Sequence, residues 1–208
     1  MKVISCVERR IIPRGLNKLA LPLESKLKNY LFEKDYHSLT LLQKIRPLPL
    51  SPEYPILLYP GCGIDILFPL LYFDFLFPQI INVDLIFVDV ENTFGLIKTI
   101  LDDVGVSFAE ERNRLKFYWK KKLVILEFLQ KDIFGFISDS SPFDIYFERA
   151  FRIMKDAHPF YERQVFEKLN SGGIIISDSG FANVPLQRIP VPSVLSSYRE
   201  MVIGFKQR

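Results

Sequence analysis

The chain has 208 residues, 49% hydrophobic and 25% charged. That is the balance of an ordinary folded protein, and it excludes a disordered chain, which would lack the apolar surface to offset its ordering entropy. The formal charge of +3 is too small to point to nucleic acid by itself, and 19 Phe against 1 Trp, with 14 Pro against 10 Gly, are the unusual figures.

In chain order, residues 1–50 read as an N-terminal helical appendage. The stretch Met1–Arg14 lacks the apolar run of a signal peptide. Glu24–Ile45 carries helical spacing, with Leu27, Tyr30 and Leu31 on one stripe and Leu39, Leu42 and Ile45 on another. The Pro-rich stretch 46–55 reads as a linker into a second unit, residues 51–208.

There the texture changes. Ile56–Tyr59 is a short apolar run that ends at Pro60-Gly61-Cys62-Gly63, as a fully buried strand would. Ile66–Ile81 is very apolar, but Pro69, Asp74 and Pro78 interrupt it, so it reads as a buried helix and not a membrane span. Leu85–Val88 is a second strand and Asn92–Val104 an amphipathic helix. Val106–Phe108 and Leu115–Trp119 pair as a hairpin, followed by strands at Lys122–Leu129 and Phe143–Phe147. Pro159–Leu169 is helical, capped by His158 or Asp156. Gly172-Gly173 then breaks it before the strand Ile174–Ile176, and Met201–Phe205 is the last strand.

Strands alternating with helices predict an α/β, Rossmann-like, mostly parallel doubly wound sheet. Ligands bind such sheets outside the carboxyl ends of the strands. The candidates are therefore Gly61–Asp65, Asp89, Asp132, Glu148 and Asp178. The glycines would let backbone approach a ligand closely, or simply make a tight turn. Asp89 offers two oxygens to a ribose diol, or caps the next helix. Asp132 can accept from an adenine amine, or serve as a solvated loop acid. His158 is a base or a cap, and Cys62 a tuned thiol or a small buried residue.

Arg112–Lys122 interleaves basic residues with Phe117, Tyr118 and Trp119. That pattern suits single-stranded nucleic acid, but also a hairpin with one buried aromatic face and one charged, solvated face. The second is favoured, because Glu110 and Glu111 dilute the field. The two cysteines, Cys6 and Cys62, suit a reducing cytoplasm. With His37 and His158 far from both, no metal site is expected.

Taken together, the residues from Ile56 to about Gly180 resemble the class I S-adenosylmethionine-dependent methyltransferases. Leu58-Tyr59-Pro60-Gly61-Cys62-Gly63 is similar to the family's first motif, Phe87-Val88-Asp89-Val90 to its second and Gln130-Lys131-Asp132 to its third. Phe143–Tyr146 is similar to its fourth strand, and Leu169–Ile176 to its helix, Gly-Gly turn and fifth strand. The resemblance implies S-adenosylmethionine as cofactor, held by Tyr59, Gly61, Cys62, Gly63, Asp65, Asp89 and Asp132. It implies proton transfer by Glu148 or His158 and methyl transfer to an undefined acceptor.

The chain departs from the pattern in three places. Tyr59 stands where the family has an acid, Asp65 stands where it has a third glycine, and Tyr146-Phe147-Glu148-Arg149 replaces the catalytic segment of amino-group methyltransferases. Two other readings therefore stay open, a non-catalytic scaffold or interaction protein and a nicotinamide or nucleotide binder. Against the last, Asp89 follows Gly63 by 26 residues, more than the about 20 usual for a dinucleotide fold.

Overall fold

The computed structural model describes residues 6–182, 184–195 and 200–207; Met1–Ser5, at the start of the stretch read for a signal peptide, lie outside the described residues. The chain opens with two short helices, α1 (Glu24–Leu27) and α2 (Glu33–Leu42). The single helical stretch predicted over Glu24–Ile45 is thus broken. Leu31 is extended at φ −124°, and Asp35 restarts the helix by accepting the Phe32 amide at 2.8 Å. A side chain three residues into a helix satisfies a first-turn donor in this way.

The alternating region follows as β1 (Ile56–Pro60), α3 (Leu67–Leu76), β2 (Asn82–Asp89) and α4 (Phe94–Asp103). Next come the hairpin β3 (Phe108–Glu111) and β4 (Arg114–Trp119), then β5 (Lys122–Gln130), α5 (Ile133–Phe136) and β6 (Phe143–Glu148). The last elements are α6 (Arg152–Asp156), α7 (Tyr161–Lys168), β7 (Leu169–Ser177), β8 (Leu186–Arg188) and β9 (Val202–Lys206).

The nine described strands form one sheet in the order β3-β4-β5-β2-β1-β6-β7-β9-β8. β5, β2, β1, β6 and β7 run parallel, while the outer strands are antiparallel. From β1 the chain winds outward through β2 to β5, then returns to the other side of β1 to lay down β6 and β7. The direction reverses between β1 and β6, which opens a crevice at their carboxyl ends.

Each face buries its own core. Residues of α3 and α4, among them Leu70, Phe73, Ile97 and Leu101, pack on one face. Ile133, Ile137, Tyr161 and Val165 from α5 and α7 pack on the other. The first 50 residues join the α3/α4 side, since Leu31, Leu39, Leu42 and Leu48 belong to that same cluster. Their backbone is also tied to the sheet domain through Gly15 N–H to Phe108 O and Leu23 N–H to Val104 O.

Two local readings change. β7 begins at Leu169 and carries both Gly172 and Gly173, so the glycines do not separate helix from strand. Instead Gly172, at φ +75°, lies on a strand whose register shifts opposite Phe143 and Ile145, as a local bulge requires. The N-cap of α7 is Phe160, with no side-chain cap, so neither His158 nor Asp156 fills that role. α6 and β8 lack a signal in the sequence, being five and three residues long.

The basic, aromatic segment is a sheet hairpin. Leu115, Phe117 and Trp119 are fully buried while Arg114 and Lys116 are exposed, the strict alternation of a half-buried strand. Trp119 Nε1 donates to Asp74 at 2.9 Å, and Arg114 and Lys120 pair with Glu127 and Asp74. Phe117 and Trp119, which nucleic acid would need for stacking, therefore lie in the core. Among the described residues no helix is long and apolar enough to cross a membrane.

Candidate functional site

The carboxyl end of β1 turns at Gly61 and Gly63, at φ +56° and +50°. Both are conformations that cost an L-residue roughly 1–2 kcal/mol. Gly61 is further constrained by space, because a Cβ there would lie 2.7 Å from the Phe151 ring. At Gly63 a Cβ would meet nothing within 4 Å, so its outer side is open.

The turns after β1 and β2 are stitched together. Gly63 N–H donates to Asp89 Oδ2 at 2.7 Å, Glu91 N–H to Asp89 Oδ1 at 3.0 Å, and Thr93 Oγ1 to Gly63 O at 2.5 Å. Asp89 therefore does not cap the helix that follows. A carboxylate offers about four lone-pair sites, so two remain for a ligand.

The turn after β5 joins the same row. Lys131 N–H donates to Asp89 O at 2.8 Å and Gln130 Nε2 to Val90 O at 3.2 Å. Asp132 caps α5 through Phe134 N–H at 3.0 Å and stays exposed. Directly after Asp89, Val90 is 64% exposed, an apolar side chain left at the carboxyl end of β2. The structure thus brings Gly63, Asp89 and Asp132 together.

Tyr59 and Asp65 are linked differently. The Tyr59 ring is buried edge-on against Phe87 and Phe147, at centroid distances of 5.3 and 5.0 Å. Its hydroxyl donates to Asp65 Oδ2 at 2.8 Å. Burial pushes that phenol well up, and the Asp65 charge adds to it. Asp65 also accepts from Arg149 at 3.0 Å and from Phe68 N–H at 3.2 Å.

The Arg149 guanidinium lies 3.2 Å above the Phe68 ring and 3.8 Å from Asp35 of α2. Burial works against its charge, but Asp65, together with Tyr59 and Tyr72, outweighs it and holds the group protonated. Tyr30, Phe32 and Asp35 from the N-terminal segment close a cavity of about 400 Å³ over Ile64, Asp65 and Arg149. Cys62 is buried beside the turn, and burial, with Asp89 and Asp65, pushes its thiol up. That is the reverse of an activated nucleophile.

Glu148 faces inward. It is 0% exposed and its Oε1 accepts from Lys155 at 2.6 Å, from Ser179 at 3.1 Å and from Ser177. Its Oε2 accepts from Tyr146 at 2.7 Å. Lys155, 4% exposed, also meets Glu162 at 3.2 Å and donates to Gly180 O. A carboxylate enclosed in this way has no open side for a substrate proton, so the expected acid–base part of Glu148 gives way to a structural one. His158 is exposed and stacks on Phe134 at 3.5 Å and 15°. Phe134 in turn stacks on Phe151 at 5.9 Å.

Sequence reasoning gave Arg149 no role of its own and passed over Phe151 and Lys155. An arginine directly after a strand-end acid was a usable signal for the first. The other two depend on α6, which the pattern does not announce. Asp178 accepts Ala150 N–H at 2.8 Å, holding Ala150 at φ +53°, and that aims Phe151 back at Gly61. Among the described residues no group of three or more His, Cys, Asp or Glu is placed to hold a metal ion.

No protein-family model matches the chain, and no curated protein sequence matches it. Solved structures do. One is a methyltransferase from Pyrococcus furiosus, 14% identical, covering 84% of this chain and 83% of that one at a TM-score of 0.48. Another is a Listeria monocytogenes protein assigned to the class I S-adenosylmethionine-dependent methyltransferases, 13% identical over 88% of this chain, at a TM-score of 0.45. A third is a Geobacter sulfurreducens S-adenosylmethionine-dependent methyltransferase in complex with S-adenosylhomocysteine, 13% identical over 78% of this chain, at 0.42. The chain spans 66% of the Listeria chain and 51% of the Geobacter chain. What these structures share with this protein is an α/β fold.

Proposed function

We propose that the chain binds S-adenosylmethionine across the carboxyl ends of β1, β2 and β5 and transfers its methyl group, in a reducing compartment such as the cytoplasm, to an acceptor as yet undefined. The observation that carries this reading is Asp89. It is fixed by two backbone amides, keeps two lone-pair sites, and lies between an open glycine turn and an exposed apolar residue. A ribose diol beside a flat apolar base fits that arrangement.

When bound, the cofactor supplies an electrophilic methyl on a sulfonium, and the protein's contribution is binding and orientation. Asp89 would hold the ribose hydroxyls, Val90 would offer an apolar surface to the base, and Asp132 would accept from an adenine amine. Gly63 leaves room for the methionine end, and Asp65, oriented by Tyr59 and Arg149, faces it. We assign residues 1–50 the role of a cover, on the cavity that Tyr30, Phe32 and Asp35 close, and residues 51–208 that of the cofactor domain.

Calorimetry with S-adenosylmethionine, S-adenosylhomocysteine and NAD tests the reading. Binding of the first two and not of NAD supports it, and Asp89→Ala should weaken binding about tenfold or more, the loss of a charge-assisted contact. Silence with all three sinks it.

A second reading, a scaffold that keeps the fold without catalysis, has its own observation. Phe151 is buried against Gly61, where a ligand would approach the first glycine, and Glu148 is sealed. Under that reading the wild-type chain binds no adenosyl ligand and Phe151→Ala restores none.

A further inference from the structure

At the opposite end of the sheet lies a cavity of about 630 Å³. The amino end of β7, the end of β9 and the 44–51 segment meet there. β7 contributes Gly172, β8 and the residue after it contribute Gln187 and Ile189, and β9 contributes Phe205 and Lys206. The 44–51 segment contributes Lys44, Arg46 and Leu48. Its position follows from the register. Phe205 pairs with Ile174 on β7, and Leu48 N–H donates to Leu76 O at the last residue of α3, so both mark the amino edge of the parallel strands.

The charges around this cavity are one-sided. Three cations line it and, among the described residues, no carboxylate does. Lys44 and Arg46 are exposed and take no part in the ion pairs or side-chain hydrogen bonds found among the described residues. The contrast with Arg9, Arg14, Arg114, Lys120 and Arg149 is plain, since each of those meets a carboxylate. Lys206 is fixed, its Nζ donating to Phe166 O and Leu169 O at 2.7 Å each. It contributes field and not contact. The Gln187 side-chain amide adds a neutral donor, and Phe205, Ile189 and Leu48 supply apolar wall. The volume is that of a small-molecule site.

We propose that this cavity binds a small organic phosphomonoester. A guanidinium fork and an ammonium recognise a phosphate through charge-assisted hydrogen bonds. Three cations, with no carboxylate among the described lining residues, favour a dianion over a monocarboxylate, and the apolar wall favours a ligand with a hydrophobic body over inorganic phosphate. Because the site lies at the amino edge, it stands independently of the adenosyl reading.

The test uses phenyl phosphate, benzoate, phenol and inorganic phosphate as probes on the full chain, by calorimetry and by amide chemical-shift mapping. Phenyl phosphate should bind most tightly, with shifts at Gly172, Gln187 and Lys206. Its affinity should fall about tenfold in Arg46→Gln and again in Lys44→Gln, the scale of one charge-assisted hydrogen bond each. Both side chains are exposed, so melting curves should stay unchanged. No phenyl phosphate binding, equal affinity for phenol, shifts confined to the Gly61–Asp65 end, or unchanged affinity in both variants would each overturn the proposal.

Discussion

Lys155→Met isolates the buried charge cluster beneath the candidate site. The substitution keeps most of the length and the apolar character of the stem but removes the ammonium. Glu148 then loses its 2.6 Å partner while remaining 0% exposed, and Glu162 and the Gly180 carbonyl lose theirs. Breaking a buried pair by removing one member costs about 3–5 kcal/mol, because the remaining charge is left uncompensated. Tyr146, Ser177 and Ser179 still donate to Glu148, which places the expectation near the lower end, at about 3 kcal/mol. In urea, with a slope of roughly 2–3 kcal/mol/M, the midpoint should fall by about 1–1.5 M. Adding Glu148→Gln to Lys155→Met removes the orphaned charge and should recover about 1 kcal/mol or more. A single-variant loss below about 1 kcal/mol, or a double variant weaker than the single one, would refute the assignment of Glu148 and Lys155 as a coupled structural pair.

Gly61→Ala combines an unfavourable φ with a 2.7 Å approach to Phe151. It should cost about 2–4 kcal/mol in a urea melt, and a neutral result would show that Phe151 does not pack there. Gly63→Ala should cost only the backbone part, about 1–2 kcal/mol, because its outer side is open. Burial raises the Asp178 carboxyl above 3.8 despite the Ala150 amide, Arg149, Ser179 and Lys155. The folded state therefore binds this proton more tightly than the unfolded state. The stability it contributes is full below the unfolded value and is lost as pH rises through the folded one. Asp178→Asn, which keeps the Ala150 contact, should flatten that fall, and melts at stepped pH check the sign. Iodoacetamide at pH 8 should leave Cys62 unmodified in the native protein and alkylate it after unfolding, since burial, Asp89 and Asp65 all oppose the thiolate. Mass spectrometry of the tryptic peptide reads the outcome.

The periodicity of the chain by itself determined most of the sheet. Runs such as Leu85–Val88 and Ile174–Ile176 are short, apolar and bounded by breakers, and no solvated structure would accept them. Their alternation with helices alone places Gly61, Gly63, Asp89 and Asp132 at one edge, because crossover connections return every parallel strand to the same end. The hairpin was legible for the same reason, since Leu115, Phe117 and Trp119 repeat at the strand period. What the tertiary structure alone decided is how each polar side chain is used. A carboxylate at a strand end looks the same in sequence when it faces solvent, as Asp132 does, or is sealed by four donors, as Glu148 is. Whether it can act on a ligand depends on partners as far away in the chain as Lys155, Ser177 and Ser179. The close packing of Phe151 over Gly61, which leaves no room for a Cβ there, likewise rests on Ala150 being held at positive φ by Asp178, a contact between residues 28 positions apart. Local pattern fixes which edge of the sheet carries chemistry. Long-range hydrogen bonding and burial decide which of the groups there are free to perform it.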